Sequence, residues 1–301
     1  MRRTSILPLA LALGLAGCSG SADGTLNSGP GGPGSGSGAT PIINPGGGGN
    51  GQGGGSLGDA TGKLTITIRD FKLYSASDPT TNPDFENTPK TDATGAPSTS
   101  YLGPWDDLKI VTDTLGSDSK PVYANATGQT LTTHGKAAFD QWFRDVPNTN
   151  YTLEYPLTLT QGTDGSYGYD SMVSGVEYQP GSTDKMFFPI DDGGQYQTAF
   201  GNQGQAHNYS FTVEIHTKFT FKGDEYFRFS GDDDVFVYID KKRVINLGGI
   251  HGAEQADVDL RTLNLTVGQV YPLDFFYAER HVVASNLRIT TTLALESVDI
   301  R

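Results

Sequence analysis

The segment Phe227–Gly252, FRFSGDDDVFVYIDKKRVINLGGIHG, indicates the fold and the chemistry of this 301-residue chain more directly than any other stretch. Its run Val235–Ile239 is apolar at every position. A strand of that composition is buried on both faces, so we expect it in the centre of a sheet between two layers. The three aspartates before it, Asp232, Asp233 and Asp234, mark the start of that strand.

Other segments alternate between apolar and polar residues with a period of two. The pattern covers Leu64–Ile68, Tyr151–Leu159, Phe211–Phe221 and Leu287–Leu295. Such alternation is typical of antiparallel strands with one buried and one solvated face. Many strands of this kind, separated by turns rich in Gly, Asp and Asn, predict an all-β fold, an antiparallel β-sandwich.

One segment has helical spacing instead. Phe139, Trp142, Phe143 and Val146 recur at i, i+3, i+4 and i+7, which predicts one short helix over Lys136–Val146, capped by Thr132 or Thr133. We interpret its aromatic stripe as core packing. Two long polar stretches, Ser75–Ser100 and Gln161–Asp184, are expected to be loops.

The first residues have the pattern of a secretion signal. A positive start is followed by the apolar run Ile6–Ala16 and by Leu15-Ala16-Gly17-Cys18, which resembles a bacterial lipobox. We therefore expect a lipoprotein signal peptide over residues 1–17, lipid on Cys18, a disordered Gly/Ser-rich linker over 18–62 and a folded domain over 63–301. Ser19 after the cysteine resembles lipoproteins sorted to the outer membrane. The alternative is an ordinary signal peptide with an incidental cysteine.

Composition excludes some partners and gives no sign of catalysis. The net charge of −13 argues against nucleic acid and against anionic lipid, so membrane contact is expected only through lipid on Cys18. The sequence has no Gly-x-Ser-x-Gly, His-Glu-x-x-His or phosphate-binding Gly-Lys-Ser/Thr motif, and its single cysteine is Cys18, the expected lipid-attachment site. We expect a protein that is not an enzyme.

The aspartate triplet is the strongest candidate for a metal site. Three like charges beside a buried strand are costly unless a cation compensates them. Ca²⁺ fits, because it takes 6–8 oxygen ligands in irregular geometry. The alternative reading is a solvated acidic turn.

The chain also resembles a known family. Ser230-Gly231-Asp232-Asp233 before a strand that ends at Asp240 resembles the signature of the protective-antigen-type β-sandwich. Within that superfamily the sequence closely resembles the fibro-slime branch of bacterial surface proteins. The motifs that carry this resemblance are Thr67–Phe71, Asn82–Glu86, Phe187–Asp191, Phe200–Asn202, His207–Phe211, Glu214–His216, Phe229–Val235, Leu247–Gly252, Tyr271–Phe276, Ala278–His281 and Ser285–Ile289.

The resemblance implies a binding site. In lectins of this superfamily, such as yeast flocculins, two adjacent aspartates joined by a cis peptide hold a Ca²⁺ that coordinates sugar hydroxyls. Carried over, the pair is Asp232-Asp233, and Asn286 matches the asparagine that those lectins supply. Asp234 stands where a small residue is usual, and it is either a third ligand or a group behind the ligands.

Further ligand contacts are predicted from two loops. The glycines of Gly248–Gly252 permit close approach, so Gly249 and His251 are candidates for ligand binding. Glu279 and His281 are candidates on the turn before the last strand, where the alternative is an internal salt-bridged turn with Arg280. A zinc site from His251, Glu279 and His281 ranks below calcium.

Three functions follow as hypotheses. The first is an outer-membrane lipoprotein, on the cell surface, that binds extracellular polysaccharide through calcium. The second is a structural or assembly protein of the cell surface in which calcium only stiffens the domain. The third is a glycan-cleaving enzyme, since a pair of carboxylates cannot be recognised from spacing in sequence alone.

Overall fold

The computed structural model describes residues 62–72, 74–85, 105–179, 181–191, 194–196, 207–281 and 284–297. The predicted signal peptide, Cys18, the linker up to residue 61 and most of the predicted loop after residue 85 lie outside these ranges. None of the helices in the described ranges is long and apolar enough to cross a membrane.

The described residues form an all-β fold with two one-turn α-helices, and every strand pair in these ranges is antiparallel. The helices are α1 (Lys136–Phe139) and α2 (Ser171–Ser174), and a 3₁₀ turn covers Leu260–Thr262. The strands are β1 (Lys63–Phe71), β2 (Trp105–Asp106), β3 (Asn150–Thr158), β4 (Thr160–Gln161), β5 (Tyr167–Asp170), β6 (Val176–Glu177), β7 (Lys185–Met186), β8 (Phe211–Thr220), β9 (Tyr226–Gly231), β10 (Asp234–Ile239), β11 (Lys242–Leu247), β12 (Gly249–Ile250), β13 (Glu254–Asp259), β14 (Val270–Glu279), β15 (Leu287–Thr291) and β16 (Glu296–Ser297).

Two sheets form the sandwich. In the described ranges the larger sheet has the order β11-β10-β14-β8-β1-β3, with β16 also paired to β8. The smaller sheet has the order β13-β9-β15-β5-β4. Apolar residues of both sheets meet in one core, in which Ile66 and Val213 of the larger sheet pack with Phe229 and Ile289 of the smaller. The predicted β-sandwich is confirmed.

Strand β10 lies between two cores, as its composition predicts. All six of its residues are buried. Val235 and Val237 belong to the core between the sheets, whereas Phe236 and Tyr238 belong to a second core on the opposite face. That second core also holds Ile110 and Phe143, so the segment 105–146 covers the outer face of the larger sheet.

The predicted helix is shorter than expected. Phe139, Trp142 and Phe143 are buried, as the aromatic stripe predicts, but the α-helix ends at Phe139. The N-cap residue is Gly135, which has no side chain to cap the helix, so the predicted threonine cap is wrong. Carbonyl groups near and beyond Phe139 accept bonds from side chains: Asn150 Nδ2 donates to Gln141 O and Arg144 O, and Asn82 Nδ2 donates to Ala138 O, which also accepts from Gln141 N.

The predicted loop Gln161–Asp184 contains regular structure. Strand β5 pairs with β15 inside the smaller sheet, with Tyr169 opposite Ile289. A Cβ on Gly168 would lie 3.2 Å from the carbonyl oxygen of Ile289, so the glycine permits a close approach of the two strands. The glycines of this segment suggest a loop in the sequence, but Gly168 lies in a strand and allows β5 to pack closely on β15.

Candidate functional site

The Asp232–Asp233 pair connects the two sheets. Gly231 ends β9 in the smaller sheet, and Asp234 begins β10 in the larger one. Strand pairing brings the other predicted segments to the same edge: Leu287 lies opposite Gly231, Ala278 opposite Asp234, and Leu247 opposite Val235. The peptide bond between Asp232 and Asp233 is cis, as the resemblance implies.

Asp232 is held by the residue that the resemblance predicts as its companion. Its side chain is buried, and its Oδ2 accepts a 2.8 Å hydrogen bond from Asn286 Nδ2, while its Oδ1 accepts one from the Asn286 backbone amide. Burial raises the pKa of Asp232, and these hydrogen bonds oppose the effect by favouring the ionised form.

Asp233 is also buried, and backbone amides bind both of its oxygens. His251 N donates to Oδ1 at 3.3 Å, and Arg280 N donates to Oδ2 at 3.1 Å. Burial raises the pKa of Asp233 well above its usual range. The Arg280 charge counteracts this effect, while repulsion from Asp232 and Asp234 adds to it.

Asp234 points to a different partner from the first two aspartates. Its Oδ2 accepts a 2.6 Å hydrogen bond from Arg280 Nε, and both side chains are fully buried. Its Oδ1 accepts a 2.7 Å bond from Gly249 N. Burial raises the pKa of Asp234, and the Arg280 charge opposes that shift. Of the two roles open for Asp234, this geometry favours a group behind the ligands.

Glu279 lies close to the pair without hydrogen-bonding to it. It is fully buried, and its Oε2 accepts a 2.8 Å bond from the Tyr277 hydroxyl. Among the described residues, Oε1 of Glu279 and the hydroxyl of Tyr209 are buried side-chain atoms that find no hydrogen-bond partner. Burial raises the pKa of Glu279 well above its usual range, and repulsion from Asp233 and Asp232 adds to this shift.

The predicted histidines differ in their surroundings. The His251 ring is buried, with Nδ1 2.9 Å from Gly252 O and Nε2 3.4 Å from Leu247 O, so its backbone amide rather than its ring reaches Asp233. His281 is partly exposed and directly follows Arg280. Gly249 has φ 132°, a conformation that favours glycine, and it contributes its amide to Asp234.

Within the described ranges, no three or more His, Cys, Asp or Glu side chains come together in an arrangement that could hold a metal ion. The zinc triad of His251, Glu279 and His281 is therefore not assembled, and the idea is corrected. The three aspartates do not form a three-carboxylate set either, because Asp234 turns to Arg280. Calcium at Asp232, Asp233 and Asn286 stays a prediction. It requires further oxygen ligands, such as backbone carbonyls or water, besides the two carboxylates.

Sequence reasoning did not find the part that Arg280 plays. Its side chain is fully buried, and its guanidinium carbon lies 4.5 Å from the centre of the Trp142 ring. Burial alone would lower the pKa of Arg280, but Asp234 raises it. A signal was present, because Arg280 lies two residues after the apolar run Phe275–Ala278, separated from it by Glu279. The alternative of a salt-bridged turn is correct only in that Arg280 forms an ion pair, because its partner is Asp234 on β10 rather than a residue of the turn.

Comparisons with known proteins agree with the fold. Residues 189–301 match the model of the PA14 domain family, a range that includes the aspartate pair and Asn286. Two curated relatives come from Dictyostelium discoideum. Protein psiR is 39% identical over 220 residues, which cover 72% of this chain and 20% of psiR. Protein psiC is 37% identical over 238 residues, which cover 75% of this chain and 41% of psiC.

The chain thus spans less than half the length of these two relatives. Among solved structures, a PA14 sugar-binding domain from an RTX adhesin matches with a TM-score of 0.24 and 18% identity, over 30% of this chain and 49% of that chain. The fibro-slime branch stays a prediction. The PA14 match over residues 189–301 supports the protective-antigen-type β-sandwich superfamily for the part of the chain that holds the candidate site.

Proposed function

We propose that this chain is a surface binding module that holds Ca²⁺ at Asp232 and Asp233 and binds extracellular carbohydrate through it. One observation carries the proposal. Both carboxylates are buried, and the hydrogen bonds that they accept within the described ranges come from amide groups. Arg280, the guanidinium beside them, directs its side chain to Asp234. Two buried carboxylates paired in this way favour a divalent cation as their counter-ion.

The donor set fits calcium in kind. Asp232, Asp233 and the side-chain oxygen of Asn286 are hard oxygen donors, which Ca²⁺ prefers. Two carboxylates provide at most four oxygens, so backbone carbonyls, water or a ligand must supply others. When bound, the ion would supply positive charge and coordination positions that a pair of sugar hydroxyls can take.

The PA14 match supports a carbohydrate as the ligand, since adhesion-type sugar binding is what the resemblance implies for such domains. The acidic net charge of −13 agrees with a neutral glycan partner better than with nucleic acid. We propose no enzymatic activity for the site.

A glycan array tests the proposal. The purified chain should be retained on a subset of extracellular polysaccharides in calcium, released by a chelator, and not retained after Asp233→Asn. Asp257→Asn is a matched control, because it is the same substitution at an exposed aspartate outside the site. Asp257 on β13 forms an ion pair with Arg228 on β9. This control should keep full retention.

Other outcomes favour the other hypotheses. If a chelator lowers the melting temperature but no glycan is retained, calcium stiffens a structural or assembly protein. Release of reducing ends from a polysaccharide would indicate a glycan-cleaving enzyme.

We further propose that lipid on Cys18 anchors the domain to the outer membrane, with the domain facing outward. The lipobox-like Leu15-Ala16-Gly17-Cys18 supports this. Cys18→Ser should abolish labelling of the protein by radioactive fatty acid and move it from the membrane fraction to the medium or the periplasm. Labelling that persists in the variant would exclude Cys18 as the attachment site.

A further inference from the structure

The buried guanidinium of Arg280 joins the edge of the sandwich to two distant parts of the chain. Its Nε donates to Asp234 Oδ2 at 2.6 Å. Its Nη1 donates to the carbonyl oxygens of Thr132 at 2.9 Å and of Asp84 at 3.2 Å. One cationic group thus holds strand β10 and the segment 105–146 together.

Thr132 is in turn hydrogen-bonded to Asp107. Both Thr132 N, at 2.9 Å, and Thr132 Oγ1, at 3.1 Å, donate to Asp107 Oδ2, and both residues are buried. The amide of Asp107 then donates to Gly248 O at 2.5 Å. Next to this bond, β2 pairs with β12, with Asp106 opposite Gly249.

Gly249 completes a closed series of hydrogen bonds. Its amide donates to Asp234 Oδ1 at 2.7 Å, and the other oxygen of Asp234 accepts from Arg280. The hydrogen bonds therefore form a ring through Arg280, Thr132, Asp107, Gly248, Gly249 and Asp234, which we call the Arg280 ring. Two residues beyond Gly249, the amide of His251 reaches Asp233.

We propose that Thr132 and Asp107 are positioning residues, which hold the loop Gly248–His251 so that its amides meet Asp234 and Asp233. Both residues bond to other members of the Arg280 ring rather than to the Asp232–Asp233 pair. They also lie outside the PA14 match, which begins at residue 189. The calcium arm of this proposal rests on the proposed function, whereas the placement of the loop does not.

Hydrogen exchange on the full chain in calcium-free buffer tests the placement directly. Thr132→Val removes one donor to Asp107 Oδ2 and the oxygen that accepts from Arg280 Nη2 at 3.3 Å, with little change in shape. A hydrogen bond from a hydroxyl to a carboxylate contributes a net of about 1.5–3 kcal/mol, which corresponds to at least about a tenfold change in an equilibrium. The amides of Gly249 and His251 should therefore exchange at least about tenfold faster. Asp107→Asn changes the acceptor of the same bonds instead of the donor. It should also increase the exchange rates of the Gly249 and His251 amides.

Two controls separate positioning from a general loss of stability. Thr132→Ser keeps the hydroxyl and should restore slow exchange. Thr112→Val removes an exposed hydroxyl of the same segment, which donates locally to Thr114 O, and should leave both amides unchanged. Exchange at Gly249 and His251 that stays at the wild-type rate in Thr132→Val and in Asp107→Asn would overturn the proposal.

Calcium titration of the same variants tests whether Thr132 and Asp107 affect the proposed calcium site. We expect Thr132→Val to weaken calcium binding by about the same tenfold factor, and Thr132→Ser to bind as the wild type does. If the wild type binds no calcium, the proposed function fails while the exchange result still decides the placement. If the wild type and Thr132→Val bind calcium equally, the ring does not control the site.

Discussion

At the scale of single residues, Gly231 controls how closely Asn286 approaches the aspartate pair. A Cβ on Gly231 would lie 2.3 Å from the backbone oxygen of Asn286 and 2.6 Å from the Phe229 ring. Gly231→Ala should therefore move Asn286 away from Asp232, lower the free energy of unfolding by about 1–3 kcal/mol and weaken calcium binding. Urea unfolding and a calcium titration measure the two effects.

Gly252 provides the control for that substitution. A Cβ there would meet no heavy atom within 4 Å, although Gly252 adjoins the same site through His251. Gly252→Ala should change the free energy of unfolding by less than about 0.5 kcal/mol. Equal effects of the two alanine variants would show that the contact between Gly231 and Asn286 does not matter.

Some residues of the site were predictable from sequence, and others were not. Asp232, Asp233 and Asn286 come together because a motif and a strand pairing mark them. Arg280 meets Asp84 and Thr132, which lie 196 and 148 residues away in sequence. Contacts at that separation depend on how the segment 105–146 packs on the sheet, and no local pattern encodes this packing.

At the scale of elements, strand β10 should dominate stability because it faces two cores. Val237→Ala removes two methyl-sized groups from a fully buried position and should cost about 2–3 kcal/mol. Val270→Ala in β14 is the matched control, since Val270 is 55% exposed, and it should cost less than about 0.5 kcal/mol. Comparable losses for both variants in urea unfolding would contradict the central position of β10.

Elements with strong periodicity were predictable, and those that depend on tertiary contacts were not. The alternation in Phe211–Phe221 predicts the bounds of β8 closely, but the predicted solvated face is wrong for the first half of the strand, where Thr212 and Glu214 are buried against the segment 105–146. The helical spacing of Phe139, Trp142 and Phe143 reports their shared burial correctly, yet the α-helix ends at Phe139, and the side chains of Asn82 and Asn150 bind carbonyl groups of this segment.

At the scale of the whole molecule, a charge network attaches the segment 105–146 to the larger sheet. Buried Glu214 accepts bonds from Arg69 at 2.6 Å, from Lys120 and from His216. The second ring nitrogen of His216 lies 2.6 Å from Asp274 Oδ1. Burial alone would raise the pKa of Glu214, but these partners hold it at about 2.

The same network predicts how stability depends on pH. Burial alone would lower the pKa of His216, but Asp274 and Glu214 raise it from 6.5 to about 9. A pKa raised on folding stabilises the folded state fully below pH 6.5, and this stabilisation is lost as the pH rises through 9. The gap in unfolding free energy between the wild type and His216→Asn should therefore shrink by roughly 3 kcal/mol over that window. Chemical denaturation from pH 5.5 to 9.5 measures it, and a gap that stays constant or widens would exclude a charged His216.

Calcium calorimetry on the purified chain tests the central claim most directly. The account predicts that one Ca²⁺ binds per chain and that Asp232→Asn and Asp233→Asn each remove this binding, while Asp257→Asn keeps it. If calcium gives no binding heat up to millimolar concentrations, or if both site variants bind it as the wild type does, the account is contradicted.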